Sequence, residues 1–245
     1  MVFPFEKWAS LYSSPFNEQF YQDIAATLLG KIKGHPRSIL EVGAGTGAAT
    51  ELLQRRYPEA SIIATEPVEE MLKYCQKRAL PGVRLLPLSA GELAFLGSRF
   101  DLVLGNICYH WFPRGTLKIL RDILAPQGQL ALSIPIQVRE KADGNLILLE
   151  VARKIKGVNR PGKLKTLAQL RREFSPLFSS LWIEAHSVEE SHPPERLTLL
   201  LRVRGSFHFL FGEKGAEAEK MFLEMASAHK QINFRWNFAL VVARP

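Results

Sequence analysis

The stretch Ser38-Ile39-Leu40-Glu41-Val42-Gly43-Ala44-Gly45-Thr46-Gly47, running on into AATELLQRRY (48–57), decides the fold. A short Ile- and Leu-rich run ends in three alternating glycines and passes at once into a helical pattern. It reads as buried strand, tight turn and helix. Glycine permits the sharp turn and lets a ligand approach where a Cβ would collide. The amides opening the next helix add a positive end to the turn. A Gly-rich loop alone is a weak signal, but the strand before it and the helix after it make this one specific.

The same alternation extends outward. Residues 16–33 form an amphipathic helical pattern ahead of the glycine turn. After it come SIIATEP (61–67) as strand, EEMLKYCQKRA (69–79) as helix, VRLLPLS (83–89) and FDLVLGN (100–106) as strands. A helix through RGTLKILRDIL (114–124) then leads to the strand GQLALSIPI (128–136). Apolar strand runs separated by helical patterns indicate an α/β fold, a parallel sheet covered on both faces. Beyond this the pattern loosens. Residues 137–180 are charged and helical, with the breaker RPGK, and read as a cap over the sheet's C-terminal edge. SLWIEAHSVEE (180–190) reads as strand, PPERLTLLLRV (193–203) as a helix opened by prolines, 214–230 as helix and FRWNFALVVA (234–243) as the closing strand. The two late strands suggest an antiparallel finish. The expected organisation is one domain over 1–245, with an N-terminal lid and helix at 1–35 and a cap insertion at 137–180.

Composition bounds the partners. The chain has 245 residues, 47% of them hydrophobic, enough for a full core and incompatible with a disordered chain. Lys and Arg number 32 against 24 Asp and Glu, a net charge of +8 that favours an anionic partner. The basic residues are spread along the sequence, and an ordinary solvated surface accounts for them as readily. No zinc-finger, basic-zipper or appended RNA-binding pattern appears, so nucleic acid is not the favoured partner. The opening MVFPFEKWASLYSSPF lacks the basic start and apolar core of a secretory signal. LTLLLRV (197–203) is too short to span a bilayer, so a cytoplasmic protein with no membrane partner is expected. Cys75 and Cys108 form no ligand set with histidines, and no metal is expected.

Two acids bear on which nucleotide the turn would hold. The spacing Gly-x-Gly-x-Gly places Ala48 where a dinucleotide fingerprint has its third glycine, a substitution that such folds tolerate. Glu41 is more telling. An acid beside a pyrophosphate is electrostatically unfavourable, whereas beside the amino group of a methionine moiety it is favourable. Glu66, at the end of the second strand, stands where an acid accepts hydrogen bonds from ribose hydroxyls.

Glu41-x-Gly43-x-Gly45-x-Gly47, Glu66, FDLVLGN and LAPQGQLALS together resemble the class I S-adenosylmethionine (SAM)-dependent methyltransferases over about residues 38–136. The resemblance implies a Rossmann-like, seven-stranded, mostly parallel sheet whose last strand is antiparallel, with SAM as cofactor. Carried across, Glu41 would orient the methionine amino group, Gly43, Gly45 and Gly47 would form the cofactor's floor, and Glu66 would hold the ribose. Where the family has an Asp near the adenine, this chain reads LSAGELAF, so Ser89 and Ala90 take that place. Asn106, ending the fourth strand, joins the cofactor set.

The outer segments narrow the acceptor. Phe5-x-x-Trp8-Ala9-x-x-Tyr12 resembles the lid-forming opening of small-substrate methyltransferases. Asn106-Ile107-Cys108-Tyr109-His110-Trp111 and the tail HPPERLTLLLRVRGS resemble the malonyl-acyl-carrier-protein O-methyltransferases of biotin synthesis. The resemblance implies methylation of a carboxylate, such as malonyl on an acyl carrier protein or a small anionic substrate. A carboxylate is ionised at neutral pH and needs positioning, not a general base. Arg139 and Arg160 are candidate carboxylate anchors, Tyr12 a candidate at the pocket, and His110 a candidate base for a phenol or amine. Arg202 and Arg204 are candidate carrier contacts if they face outward on their helix. Two other readings stay open: a small-molecule O-, N- or C-methyltransferase, and a non-catalytic SAM-binding regulator.

Overall fold

The computed structural model describes residues 5–138, 141–158 and 164–245. Helices α1 (Phe5–Tyr12) and α2 (Pro15–Leu29) lead into β1 (Ser38–Val42). The alternation continues through α3 (Ala48–Arg56), β2 (Ser61–Thr65), α4 (Glu69–Lys77), β3 (Val83–Leu86), β4 (Phe100–Asn106), α5 (Thr116–Asp122) and β5 (Leu124–Pro135). Then follow α6 (Asp143–Lys156), α7 (Leu167–Phe174), β6 (Ser180–His192), α8 (Pro194–Val203), α9 (Ser206–Phe211), α10 (Gly215–Ala226) and β7 (Ile232–Arg244).

Among the described residues seven strands form one sheet in the order β3-β2-β1-β4-β5-β7-β6. β1 pairs in parallel with β2 on one side and β4 on the other, and β7 runs antiparallel to β5, with Leu130 opposite Ala243 and Pro135 opposite Phe238. The expected mixed sheet with an antiparallel last strand is therefore present. The chain winds outward from β1 in one direction and from β4 in the other. This makes the β1–β4 edge the switch point, outside whose C-terminal ends α/β sheets bind ligands. The glycine turn leaves β1 at that place.

Among the boundaries that differ from the sequence reading, two have clear local reasons. β3 stops at Leu86 because Pro87 follows and has no N–H for the ladder. β5 begins at Leu124, not 128, because Leu124 pairs with Phe100 across a register shift before the ladder resumes at Gln129. Gly128 is required at that bend: a Cβ there would lie 2.6 Å from the Phe100 carbonyl oxygen.

Contacts divide the chain into two compact units, with the boundary passing through β6 and β7. The larger takes 5–135, 167–185 and 238–245, and its centre is the sheet, where Ile39, Leu40, Leu102, Leu104, Leu130 and Leu132 are fully buried. The smaller takes the described residues of 136–166 and 186–237, so the expected cap at 137–180 is shared between the two. Its core joins α6, α8, α9 and α10 through Val151, Leu197, Leu201, Phe207, Phe222 and Phe234. Gly144 on α6 lets these elements close, since a Cβ would sit 2.9 Å from the Phe234 ring.

The condition that Arg204 face outward is not met in this smaller unit, so it is not a carrier contact. Its side chain is only 3% exposed. It donates to both carboxylate oxygens of Glu190, at 2.6 and 3.3 Å, and its guanidinium lies 4.6 Å from the Trp236 ring centre. Trp236 Nε1 donates to the same carboxylate at 2.6 Å. Arg204 directly follows α8 and lies inward, where a guanidinium is tolerated because it is paired and stacked. Arg202 is partly exposed and pairs with Glu219. No described helix is long and apolar enough to cross a membrane.

Candidate functional site

The glycine turn is fastened at nearly every peptide. The amides of Gly43 and Ala44 both donate to the Thr65 carbonyl, at 2.8 and 2.9 Å, and Gly47 N donates to the Ala44 carbonyl at 2.9 Å. Gly45 N donates to Glu66 Oε2 at 2.9 Å. These amides are satisfied by β2 and by the turn itself, and one is already given to a carboxylate. A loop built this way differs from a phosphate cradle, whose amides point at the ligand.

The three glycines have different physical reasons. At Gly43 a Cβ would come within 2.8 Å of Cys108 Cβ, so the end of β1 packs directly against the segment after β4. At Gly47 a Cβ would meet Cys75 Sγ at 2.7 Å and Arg78 Cδ at 2.9 Å. At Gly45 no atom of the described residues lies within 4 Å of that position, and φ is +58°. Gly45 is thus the glycine of the three that faces open space.

Glu41 and Glu66 meet at this turn. Glu66 is buried; Gly45 N donates to its Oε2 and Val68 N to its Oε1, both at 2.9 Å. Burial raises its pKa, and those two amides work against the rise. Glu41 is 1% exposed, and its Oε2 has no hydrogen-bond partner among the described residues. Burial pushes its pKa up to about 7; a Thr50 hydrogen bond opposes the shift, the Glu66 charge adds to it, and Arg78 opposes it. An orphaned buried carboxylate oxygen calls for a donor, and a cationic one would restore its charge.

The remaining predicted residues fall into four groups. Ser89, beyond the end of β3, gives its hydroxyl to Glu92 Oε2 at 2.5 Å and its amide to the same oxygen at 2.8 Å; Ala90 beside it is buried. Asn106 is used at both ends: Nδ2 donates to the Tyr21 carbonyl at 3.0 Å and Oδ1 accepts from Ser133 at 2.7 Å. This ties α2 to the tips of β4 and β5. The Tyr21 ring stacks on Tyr12 at 5.5 Å, so Tyr12 joins the same network. His110 packs against Trp111 at 5.0 Å; its Nδ1 is shut off from water, and desolvation pushes its pKa down to about 3. Arg139 and Arg160 lie outside the described residues.

The structure adds Ile107 and Arg78 as residues with a specific role, and it gives a partner to Tyr109 of the 106–111 stretch. Ile107 has φ +56°, a strained conformation for a β-branched residue, held by two hydrogen bonds from its amide to the carbonyl and hydroxyl of Ser133. Tyr109 donates to Glu173 at 2.9 Å, and burial drives its phenol pKa upward. Arg78, at the end of α4, donates Nε to the Thr46 carbonyl at 2.6 Å and Nη1 to Glu51 at 2.9 Å, and it pairs with Glu18. Among the described residues no group of three or more His, Cys, Asp or Glu is placed to hold a metal.

Strand order, antiparallel β7 and an acid-flanked glycine turn at the switch point define the Rossmann-like methyltransferase fold. Comparison with known proteins agrees. Residues 39–128 match the family model described as a methyltransferase domain. The trans-aconitate 2-methyltransferase of Methylobacterium nodulans is 35% identical over 121 residues, 47% of this chain and 45% of that protein. The malonyl-[acyl-carrier protein] O-methyltransferase of Anoxybacillus flavithermus is 32% identical over 132 residues, 53% of this chain and 50% of that protein. The matched region thus spans about half the length of these curated relatives. Among solved structures, the YcgJ protein of Bacillus subtilis superposes with TM-score 0.61 at 15% identity, covering 93% of this chain and 99% of that one. The plantazolicin methyltransferase BpumL, solved with S-adenosylhomocysteine (SAH), gives 0.55 at 14%, covering 98% and 90%. The chain resembles the class I SAM-dependent methyltransferases, the malonyl-carrier-protein enzymes among them.

Proposed function

We propose that this protein transfers a methyl group from SAM to a carboxylate. The observation that carries the reading is the constellation of Glu41, Gly45 and Glu66. Gly45 opens on space that no described residue fills, a second carboxylate is fixed to its amide, and the buried Glu41 Oε2 has no hydrogen-bond partner among the described residues. These residues fit SAM. Glu41 would receive the ammonium of the methionine end, Gly45 would let the cofactor lie against the backbone, and Glu66 has lone pairs left for ribose hydroxyls. Glu41, when ionised, would repel a dinucleotide's pyrophosphate.

Bound SAM would supply a methyl carbon made electrophilic by its sulfonium, open to in-line attack by an oxygen anion. The chain's own groups suit an acceptor that arrives ionised. His110, with a pKa near 3, stays neutral and is a weak proton acceptor at neutral pH. The Tyr109 phenol is held by Glu173 and keeps its proton. The site's work is then to position the acceptor and exclude water. The names of the relatives point the same way, since aconitate and malonyl groups both carry carboxylates. Malonyl on an acyl carrier protein is the leading acceptor, favoured by the +8 charge and by the likeness of residues 106–111. A free acid such as trans-aconitate is the second reading, favoured by the relatives of that name.

The test follows labelled methyl from SAM to malonyl-loaded carrier, its methyl ester, a neutral acyl carrier, trans-aconitate, a phenol and an amine. Transfer to acids with ionised carboxylates is expected, and malonyl carrier above trans-aconitate ranks the acceptors. Turnover on the phenol or amine with none on any acid would overturn the proposal.

A further inference from the structure

We propose that Arg78 is the positioning residue of the cofactor turn, a single guanidinium that fastens the turn to helices α2 and α3 and makes cofactor affinity depend on both. The inference rests on the SAM-binding reading and concerns a residue outside the cradle.

The geometry is specific. Arg78 Nε donates to the carbonyl of Thr46, the peptide between Gly45 and Gly47, at 2.6 Å. Nη1 donates to Glu51 of α3 at 2.9 Å, and Nη2 pairs with Glu18 of α2. All three side chains are largely buried, at 15% exposure for Arg78, 22% for Glu18 and 20% for Glu51. Such pairs are screened less than surface ones. Glu18 also accepts from Ser13 at 3.1 Å in the link between α1 and α2, which reaches the N-terminal helices into the network. Gly47 has no side chain where the Arg78 stem lies, so turn and arginine are fitted to each other. The Gly43, Ala44, Gly45 and Gly47 amides are held from β2 and from within the turn, whereas the Thr46 carbonyl is held from Arg78. Without that anchor the Thr46–Gly47 peptide keeps only the Gly47 N–Ala44 carbonyl bond, at a turn where Gly45 and Gly47 have left-handed φ of +58° and +89°. Gly45, the residue facing open space, would move with it. A planar fork of five donors suits acceptors in three directions; the point charge of lysine does not.

The experiment measures SAH affinity by calorimetry, well below the unfolding midpoint, for the parent, Arg78→Gln, Arg78→Lys, Glu18→Gln and the Arg78→Gln/Glu18→Gln pair. We expect Arg78→Gln to weaken SAH binding on the order of tenfold or more. Glu18→Gln should weaken it less and add nothing to Arg78→Gln, because both act through one side chain. Arg78→Lys should recover part of the loss. A purely structural arginine would lower the melting midpoint and leave the affinity of the folded protein unmoved, and that result overturns the inference. Full additivity of the two substitutions overturns it as well. Should Arg78→Gln fail to fold, Glu18→Gln and Arg78→Lys decide alone: unchanged affinity in both refutes the role. A parent that binds no SAH defeats the cofactor reading itself, a different failure from a parent that binds and an Arg78→Gln variant that binds equally.

Discussion

Replacing Glu41 with glutamine removes a charge that the fold resists burying. Burial is the main cause that lifts the Glu41 pKa from 4.5 to about 7. The protonated form is therefore the one the folded chain prefers. The stability that this preference confers is complete below the ordinary carboxylate pKa and is lost as pH rises through about 7. The shift from 4.5 to about 7 is worth roughly 3 kcal/mol once Glu41 is fully ionised. Glutamine keeps the shape and stays neutral at every pH, so it escapes that cost. Urea unfolding of the parent and of Glu41→Gln at about pH 5 and about pH 9 measures the difference. The variant should gain on the parent by most of those roughly 3 kcal/mol between the two conditions. Ligand affinity should move the other way. Near neutral pH the parent must give up a proton to meet a cationic amine, so its SAH affinity should rise from about pH 6 to pH 8. Glu41→Gln should bind more weakly and with a flatter profile. Parallel stability curves for the two proteins would show that Glu41 is already ionised or solvated, and the reasoning would fail.

Glu66→Ala removes a charged acceptor, and hydrogen bonds to charged groups are worth ~1.5–3 kcal/mol, so SAM affinity should fall on the order of ten- to a hundredfold by calorimetry; Glu66→Gln should lose less. Gly43→Ala puts a methyl 2.8 Å from Cys108 Cβ, and its thermal midpoint should drop further than that of Gly45→Ala, which meets nothing within 4 Å. Gly45→Ala should instead show its larger effect on SAH binding. Arg204→Met strands Glu190 in a buried setting, and a loss of ~3–5 kcal/mol in denaturant unfolding is expected; a neutral result would mean that water reaches this pair.

The frame of the fold is legible because its signals are local. FDLVLGN is strand β4 to the residue, and the Gly-rich turn sits between β1 and α3 as its flanks require. Ser89 and Glu92 also obey a local rule: a serine followed three residues later by a glutamate, which the structure shows bonded to each other. Arg78 is not legible, because Thr46, Glu51 and Glu18 are 32, 27 and 60 residues away and no spacing rule joins them. Arg204 misleads for a related reason. Its charge predicts a wet surface, and only the tertiary partners Glu190 and Trp236 explain its burial. The strain at Ile107 is equally hidden, since the φ of a β-branched residue is set by the Ser133 bonds and not by its own preference.

Titration of the purified chain with SAM, SAH and NAD in a calorimeter tests the cofactor turn most directly. Saturable one-to-one binding of SAM and SAH, lost or much weakened in Glu66→Ala and absent for NAD, is the predicted result. Binding of NAD, or no binding of SAM and SAH to a folded protein, would contradict the reading of the glycine turn and its two acids.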